Sequence, residues 1–366
     1  MVADKMKSLG MSMVLTCYNR QEYVREAILS VFAQDYDGPM QLVIVDDAST
    51  DDSVRVIEET VRDYGQGRDV EIIKLEKNLG VAGATDAGWA KAKYDWILII
   101  DGDDIQLPSR CSMIAEAASR ISNLGQVSFS MRNVDKEGHY FGNASYGSNR
   151  YEDTPDELIL DNAEWNYRNQ FGKLGSNNIR SVGAATAFHR SLYDMWGPLC
   201  QGETEGMRFE QDPTWAFRAA LSMTVMGIKK FALNYRMHGS NLSNIQLPDG
   251  VSGVIRFELH QEKYQKFRAD SIVCKLRDIK RAREDGRLTN WSLELLNKAE
   301  VQLRKEYSGC MLRYMWWSIP YYARLLRVIR DLKAFRESGT SMLRLLPFRL
   351  FCWLKYKKQQ RDWKRN

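Results

Sequence analysis

An α/β fold, with a Rossmann-like, mostly parallel sheet flanked by helices and followed by a basic helical extension, is predicted by three features of this 366-residue chain. First, residues 11–17, 41–45 and 94–100 are continuous runs of β-branched, aromatic and other apolar side chains. Strands of a parallel sheet are buried on both faces, so they lack the apolar–polar alternation of a half-exposed strand. Second, segments with helical spacing separate these runs, and a β-α-β-α-β-α-β order favours a doubly wound sheet with right-handed crossovers. Third, charge divides the chain. Residues 251–366 hold 27 Lys and Arg against 12 Asp and Glu, whereas residues 1–250 hold 25 against 35. An α/β domain over 1–250 and a helical basic region over 251–366 are the expected organisation.

In chain order, the strand at 11–17 is broken by Tyr18-Asn19-Arg20. A helix follows with Tyr23, Val24, Ala27, Ile28, Val31 and Phe32 on its apolar face. The turn Asp37-Gly38-Pro39 leads to the second strand, which ends in Asp46-Asp47-Ala48-Ser49-Thr50-Asp51. Ser49 or Thr50 is placed to cap the next helix, with Asp51 and Asp52 in its first turn, where the helix dipole favours acids. A third strand at 70–75 runs into Asn78-Leu79-Gly80 and a helix of small residues to Lys93. The fourth strand, at 94–100, runs into Asp101-Gly102-Asp103-Asp104. Beyond it come a helix at 109–122, a strand at 126–131, and a polar stretch at 135–181 that reads as a binding loop or lid. A small-residue strand at 182–189, a helix entered through Asp212-Pro213 and a strand at 231–238 complete the first part. From about Val254 the chain is helical and basic.

Three carboxylates within four residues repel one another unless a cation or water separates them. In open α/β sheets the ligand crevice lies beyond the carboxyl ends of the strands, so this turn suits a divalent metal carrying a phosphate; alone, such a cluster is more often a solvated acidic turn. The six cysteines are scattered without a C-x-x-C pair, which argues against zinc or dithiol chemistry and for free thiols in a reducing compartment. Neither a signal peptide nor an apolar run of membrane-spanning length is apparent.

Thr16-x-Tyr18-Asn19, Asp46-Asp47-x-Ser49-x-Asp51, Asn78-x-Gly80, Asp101-x-Asp103-Asp104, Asp212 with Arg218, and Tyr235-Arg236-x-His238 occur in an order that resembles the family 2 glycosyltransferases, over roughly residues 11–245. The resemblance implies a GT-A fold, a nucleotide-sugar donor, Mg²⁺ or Mn²⁺, and inversion at the anomeric carbon. It assigns Thr16, Tyr18, Asp46, Asp47, Asn78 and Asp101 to the nucleotide-sugar, Asp47 taking the base. It assigns Asp103 and the late His238 to the metal, and Asp212 to the general base. The family's frequent Arg in the segment 83–88 is missing here. The chemistry independently asks for a hard cation on a leaving diphosphate and one positioned carboxylate to take the acceptor hydroxyl's proton.

A UDP-sugar and a glycan or lipid-linked acceptor are the expected partners. A catalytically silent binder of the same fold is the alternative, against which Asp212 argues; a nucleotidyltransferase would want a Gly- and Lys-rich triphosphate loop that 16–21 is not. Residues 321–335 alternate apolar and basic positions at helical steps, and the apolar run 345–354 is followed by Lys355, Lys357, Lys358, Arg361, Lys364 and Arg365. Such a composition points to peripheral association with an anionic membrane on its cytoplasmic face. Packing on protein, including homo-oligomer formation, is the alternative. Nucleic acid is disfavoured, because the acidic first part repels phosphate.

Overall fold

The computed structural model describes residues 9–147, 150–171, 178–201, 211–238 and 253–317. Strands β1 (Met11–Cys17), β2 (Met40–Asp46), β3 (Asp69–Lys74) and β4 (Trp96–Asp101) lie parallel in the order β3-β2-β1-β4. Helices α1 (Val24–Phe32), α2 (Ser53–Tyr64) and α3 (Gly80–Trp89) connect them. Alternate strand residues serve opposite faces. Met11, Met13, Leu15, Leu42, Ile44, Leu98 and Ile100 share a core with Ile28 and Val31 of α1 and Ile57 of α2. On the other face α3 approaches so closely that a Cβ on Gly88 would stand 2.3 Å from Val14 Cγ1 and 3.2 Å from Val45 Cγ2. The continuous apolar runs therefore mark strands covered on both sides, as expected.

Beyond β4 the sheet becomes mixed. It continues with β5 (Ile105–Gln106), β6 (Leu124–Val134), β7 (Tyr140–Ala144), β8 (Glu157–Leu160), β9 (Thr186–His189) and β10 (Thr224–Arg236), making ten strands in all among the described residues. Strand β9 pairs antiparallel with both β4 and β6, and β6 is parallel to β10. Helices α4 (Arg110–Arg120), α5 (Ala163–Gln170), α6 (Ser191–Trp196) and α7 (Asp212–Ser222) intervene.

Several expectations need correction. The stretch read as an irregular loop or lid contains β7, β8 and α5, whose short, polar segments show no periodicity in sequence. Strand β10 begins at Thr224, not near 231, because Gly227 and the charged pair Lys229-Lys230 interrupt its apolar run. A 3₁₀ turn, Gly183–Ala185, precedes β9. Helix α2 starts only at Ser53 and receives no side-chain cap. Ser49 Oγ accepts the Asn19 N–H instead (2.9 Å).

The chain divides into two compact units: Met1–Met237 with Arg277–Asn297, and His238–Leu276 with Lys298–Asn366. Residues 277–297, grouped with the basic end by charge, thus return to the first unit. They comprise the end of α8 (Gly253–Glu284) and the start of α9 (Leu293–Trp317). In the second unit Arg313 of α9 donates to Gln265 of α8 (2.8 Å). The apolar and basic segments at 321–335 and 345–365 lie outside the described residues. Among the described residues no helix is long and apolar enough to cross a membrane.

Within the first unit α7 is held by a fully buried ion pair, Arg218 Nε to Asp278 Oδ2 at 2.7 Å, and Arg218 Nη1 donates to the Gly197 carbonyl (2.6 Å). The Arg218 guanidinium lies 4.7 Å from the centroid of Trp215, which stacks on Trp89 of α3 at 4.0 Å. Replacing one partner leaves a buried charge uncompensated. Asp278→Leu should therefore cost about 3–5 kcal/mol of stability in urea denaturation. The double variant Arg218→Met/Asp278→Leu should recover only part of it, since Arg277, whose Nη2 pairs with Asp278 Oδ1 at 3.1 Å, then loses its carboxylate.

Candidate active site

Register gathers the motif residues at one edge of the sheet. Along β1, Thr16 pairs with Val45 and Asp101, and Cys17 with Asp46, so Thr16, Asp46 and Asp101 lie at the carboxyl ends of three adjacent strands, Thr16 and Asp101 on one face and Asp46, one step further on, on the other. The loops leaving β1 and β2 are fastened together. Asn19 Oδ1 accepts the Thr50 N–H (2.8 Å), Gln21 Oε1 the Asp52 N–H (2.8 Å), and Ser53 Oγ the Arg20 N–H (2.7 Å). Asn19 and Ala48 hold positive φ (51° and 59°) at these bends. Tyr18 is 44% exposed beside them and has room to meet a planar ligand.

Asp46 and Asp47 are both buried, with different engagements. Asp47 Oδ1 accepts the Leu79 N–H (2.6 Å) and Oδ2 the Gly80 N–H (2.9 Å), so this carboxylate caps α3 from a distant loop. Asn78 closes the same corner by donating to the Asp47 carbonyl (3.1 Å), and Gly80 turns with φ 75°. Asp46 Oδ2 accepts the Ser49 N–H (3.0 Å), while its Oδ1 is buried without a hydrogen-bond partner. Within α3, buried Asp86 accepts the N–H groups of Leu199 (2.9 Å) and Cys200 (2.7 Å), and burial holds its carboxyl above the usual range.

The acidic turn after β4 gathers Asp101, Asp103 and Asp104, each offering a carboxylate oxygen within 4.8 Å of the others. Burial, and then the charge of Asp103, push Asp101 up to about 7 and Asp104 well above the ordinary carboxylate range. Three arginines surround the turn, and the sequence motifs assign a role to none of them. Arg20 Nε pairs with Asp103 Oδ2 (2.8 Å). Arg236, at the end of β10, gives its backbone N–H to Asp104 Oδ1 (2.8 Å) and its Nε–H to the Asp103 carbonyl (3.0 Å). It reaches the turn because β5 pairs antiparallel with β10 one residue further on, Asn234 against Ile105. Buried Arg110 donates to the Ile99 (3.3 Å) and Thr186 (3.0 Å) carbonyls and to Gln106. Lone arginines rarely announce themselves in sequence, but Arg20 adjoins Tyr18-Asn19 and Arg236 lies within Tyr235-Arg236-x-His238.

Asp104 Oδ2 is buried and has no hydrogen-bond partner. Three clustered carboxylates, one with such an unsatisfied oxygen, form a hard oxygen donor set that fits Mg²⁺ or Mn²⁺. The other acidic grouping among the described residues, Asp135, Glu137 and His139, is the solvent-facing β6–β7 turn, where Asp135 accepts the His139 N–H (2.8 Å).

Asp212 is the first residue of α7, and its Oδ2 accepts the Gly183 N–H at 2.7 Å. A Cβ on Gly183 would stand 2.4 Å from Asp212 Oδ1. No motif points to this contact between Gly183 and Asp212; the small-residue run around Gly183 is the available signal. Gly183→Ala should displace this carboxylate and lower any activity that depends on it at least tenfold, about 1.4 kcal/mol of barrier, which steady-state kinetics would measure. His238 is buried and is the first residue of the second unit; Glu210 lies outside the described residues.

A sequence profile described as glycosyl transferase family 2 matches residues 12–196. Poly-β-1,6-N-acetyl-D-glucosamine synthase of Staphylococcus epidermidis is 30% identical over 96 residues, 26% of this chain and 22% of that protein. An uncharacterized glycosyltransferase of Haemophilus influenzae is 32% identical over 93 residues, 25% of this chain and 36% of that one. The matches thus span well under two thirds of these relatives' own length. Among solved structures, Staphylococcus aureus TarS 1–349 superimposes with a TM-score of 0.49 at 15% identity, covering 91% of this chain and 90% of that one.

Proposed function

Since the chain belongs to glycosyl transferase family 2, we propose that it transfers a sugar, with inversion, from a nucleotide-sugar donor to a hydroxyl of a glycan or lipid-linked acceptor. UDP is the nucleotide we assign. The observation that carries this reading is the gathering of Thr16, Asp46 and Asp101 at the carboxyl ends of adjacent strands, with Asp103 and Asp104 in the next turn. The name of the Staphylococcus epidermidis relative supports a glycan product.

In this reading Thr16, Tyr18, Asp46, Asp47, Asn78 and Asp101 bind the nucleotide-sugar. Asp47 Oδ1 and Oδ2 already serve α3, so a base N–H would use their remaining lone pairs, and the unsatisfied Asp46 Oδ1 offers a second acceptor. Asp103, with Asp101 and Asp104 beside it, would hold Mg²⁺ or Mn²⁺, and His238 is the proposed late ligand. When bound, the ion supplies Lewis-acid stabilisation to the departing diphosphate. Asp212, held through Oδ2 by the Gly183 N–H, takes the proton of the attacking hydroxyl. The basic stretch after residue 317 supports presentation of the site at an anionic cytoplasmic membrane face. The full chain should then pellet with anionic but not neutral vesicles and be released by salt.

A thermal-shift panel of UDP, GDP, dTDP and CMP with and without Mn²⁺ tests the central reading. A rise in melting temperature with UDP that requires Mn²⁺ is expected. No shift with any nucleotide would remove it.

A further inference from the structure

Resting on the transferase reading, we propose that Arg20 is an exchangeable counter-ion: it holds Asp103 while no cation is bound, and passes to the donor's diphosphate when a metal occupies the acidic turn. Arg20 Nε lies 2.8 Å from Asp103 Oδ2, with the two side chains only 16% and 9% exposed, so solvent screens the pair little. A divalent ion and a guanidinium compete for the same carboxylate oxygen. Metal binding therefore displaces Arg20, and it does so beside the diphosphate that would share the ion with Asp103. A guanidinium matches phosphate oxygens with paired N–H donors.

The other two arginines at the turn cannot make this exchange. Arg236 is tied through Nε to the Asp103 carbonyl, through Nη1 to the Lys136 carbonyl (2.7 Å) and through Nη2 to Glu26. Arg110 is enclosed, and its Nη atoms are committed to Gln106 and two carbonyls. Arg20 is anchored at the backbone by Ser53, so the loop stays in place when the side chain leaves Asp103 and gives up its Nη1 hydrogen bond to the Asn19 carbonyl (3.1 Å). The α3 entrance offers no substitute, since residues 78–90 contain neither Lys nor Arg. The exchange makes metal and nucleotide binding mutually reinforcing, because each favours the position of Arg20 that the other needs.

The test is Arg20→Gln, which keeps length and hydrogen-bonding capacity but removes the charge. Mn²⁺ alone is titrated by electron paramagnetic resonance; UDP, or GDP if the panel selects it, is titrated by calorimetry at saturating Mn²⁺. With a competitor removed, Mn²⁺ alone should bind about tenfold tighter, while the nucleotide should bind about tenfold more weakly. Arg20→Lys should lie between the variant and the wild type in both titrations. A variant that weakens both ligands would mark Arg20 as merely structural and overturn the proposal, as would unchanged nucleotide affinity. If the wild-type chain binds neither Mn²⁺ nor any nucleotide, the transferase reading falls and this one with it.

Discussion

Asp103→Ala is expected to lower turnover by more than about 10³-fold and to abolish the Mn²⁺-dependent part of nucleotide binding, because a metal's charge stabilisation is worth several kcal/mol in such a transition state. The reason is local. Asp103 stands between Asp101 and Asp104, its oxygens face Arg20, and its backbone carbonyl is held by Arg236, so its carboxylate is aimed by contacts on both sides. The fold should survive the change. Asp101 is pushed up to about 7 by burial and then by Asp103, so removing Asp103 relieves repulsion within the turn. Arg20 keeps the Asn19 carbonyl as an acceptor for its Nη1 (3.1 Å). Lost activity with a melting temperature within a few degrees of wild type therefore points to the ligand role, and an Asp103→Ala enzyme that turned over donor normally would overturn it.

Asp212→Asn should leave donor affinity nearly unchanged while kcat falls by about 10²–10⁴, the usual contribution of a general base. Asparagine keeps the shape and an oxygen able to accept the Gly183 N–H, but it cannot take a proton. The stability of α7 should be unaffected, since Arg218, Asp278 and the Trp89–Trp215 stack hold the helix away from its first residue. An unchanged kcat would move the base elsewhere, with Glu210 the first alternative.

Much of the first half was legible because its signals are local. Continuous apolar runs located β1, β2 and β4, and helical spacing located α1 and α4 to within a residue or two. The acidic turn was visible as a motif, and its place at a strand end followed from the run before it. The irregular reading of 135–181 failed because β7, β8 and α5 draw their stability from pairing and packing with distant segments, β6 and β10 among them, and not from their own periodicity.

Sequence alone determined the sheet's first four strands, the carboxylates at their ends and the basic character of residues 251–366, since each depends on residue types close together in the chain. Only the tertiary structure decided what each carboxylate does with its lone pairs. Asp47 and Asp46 are neighbours of identical chemistry, yet one caps α3 thirty-two residues away while the other keeps a buried oxygen without a partner. Asp103 meets Arg20 across 83 residues, Asp104 meets Arg236 across 132, and Arg218 finds Asp278 across 60. A buried charge requires a partner because desolvation is costly, but nothing in that requirement says where along the chain the partner lies. Strand register and helix packing choose it, and those are properties of the folded chain as a whole.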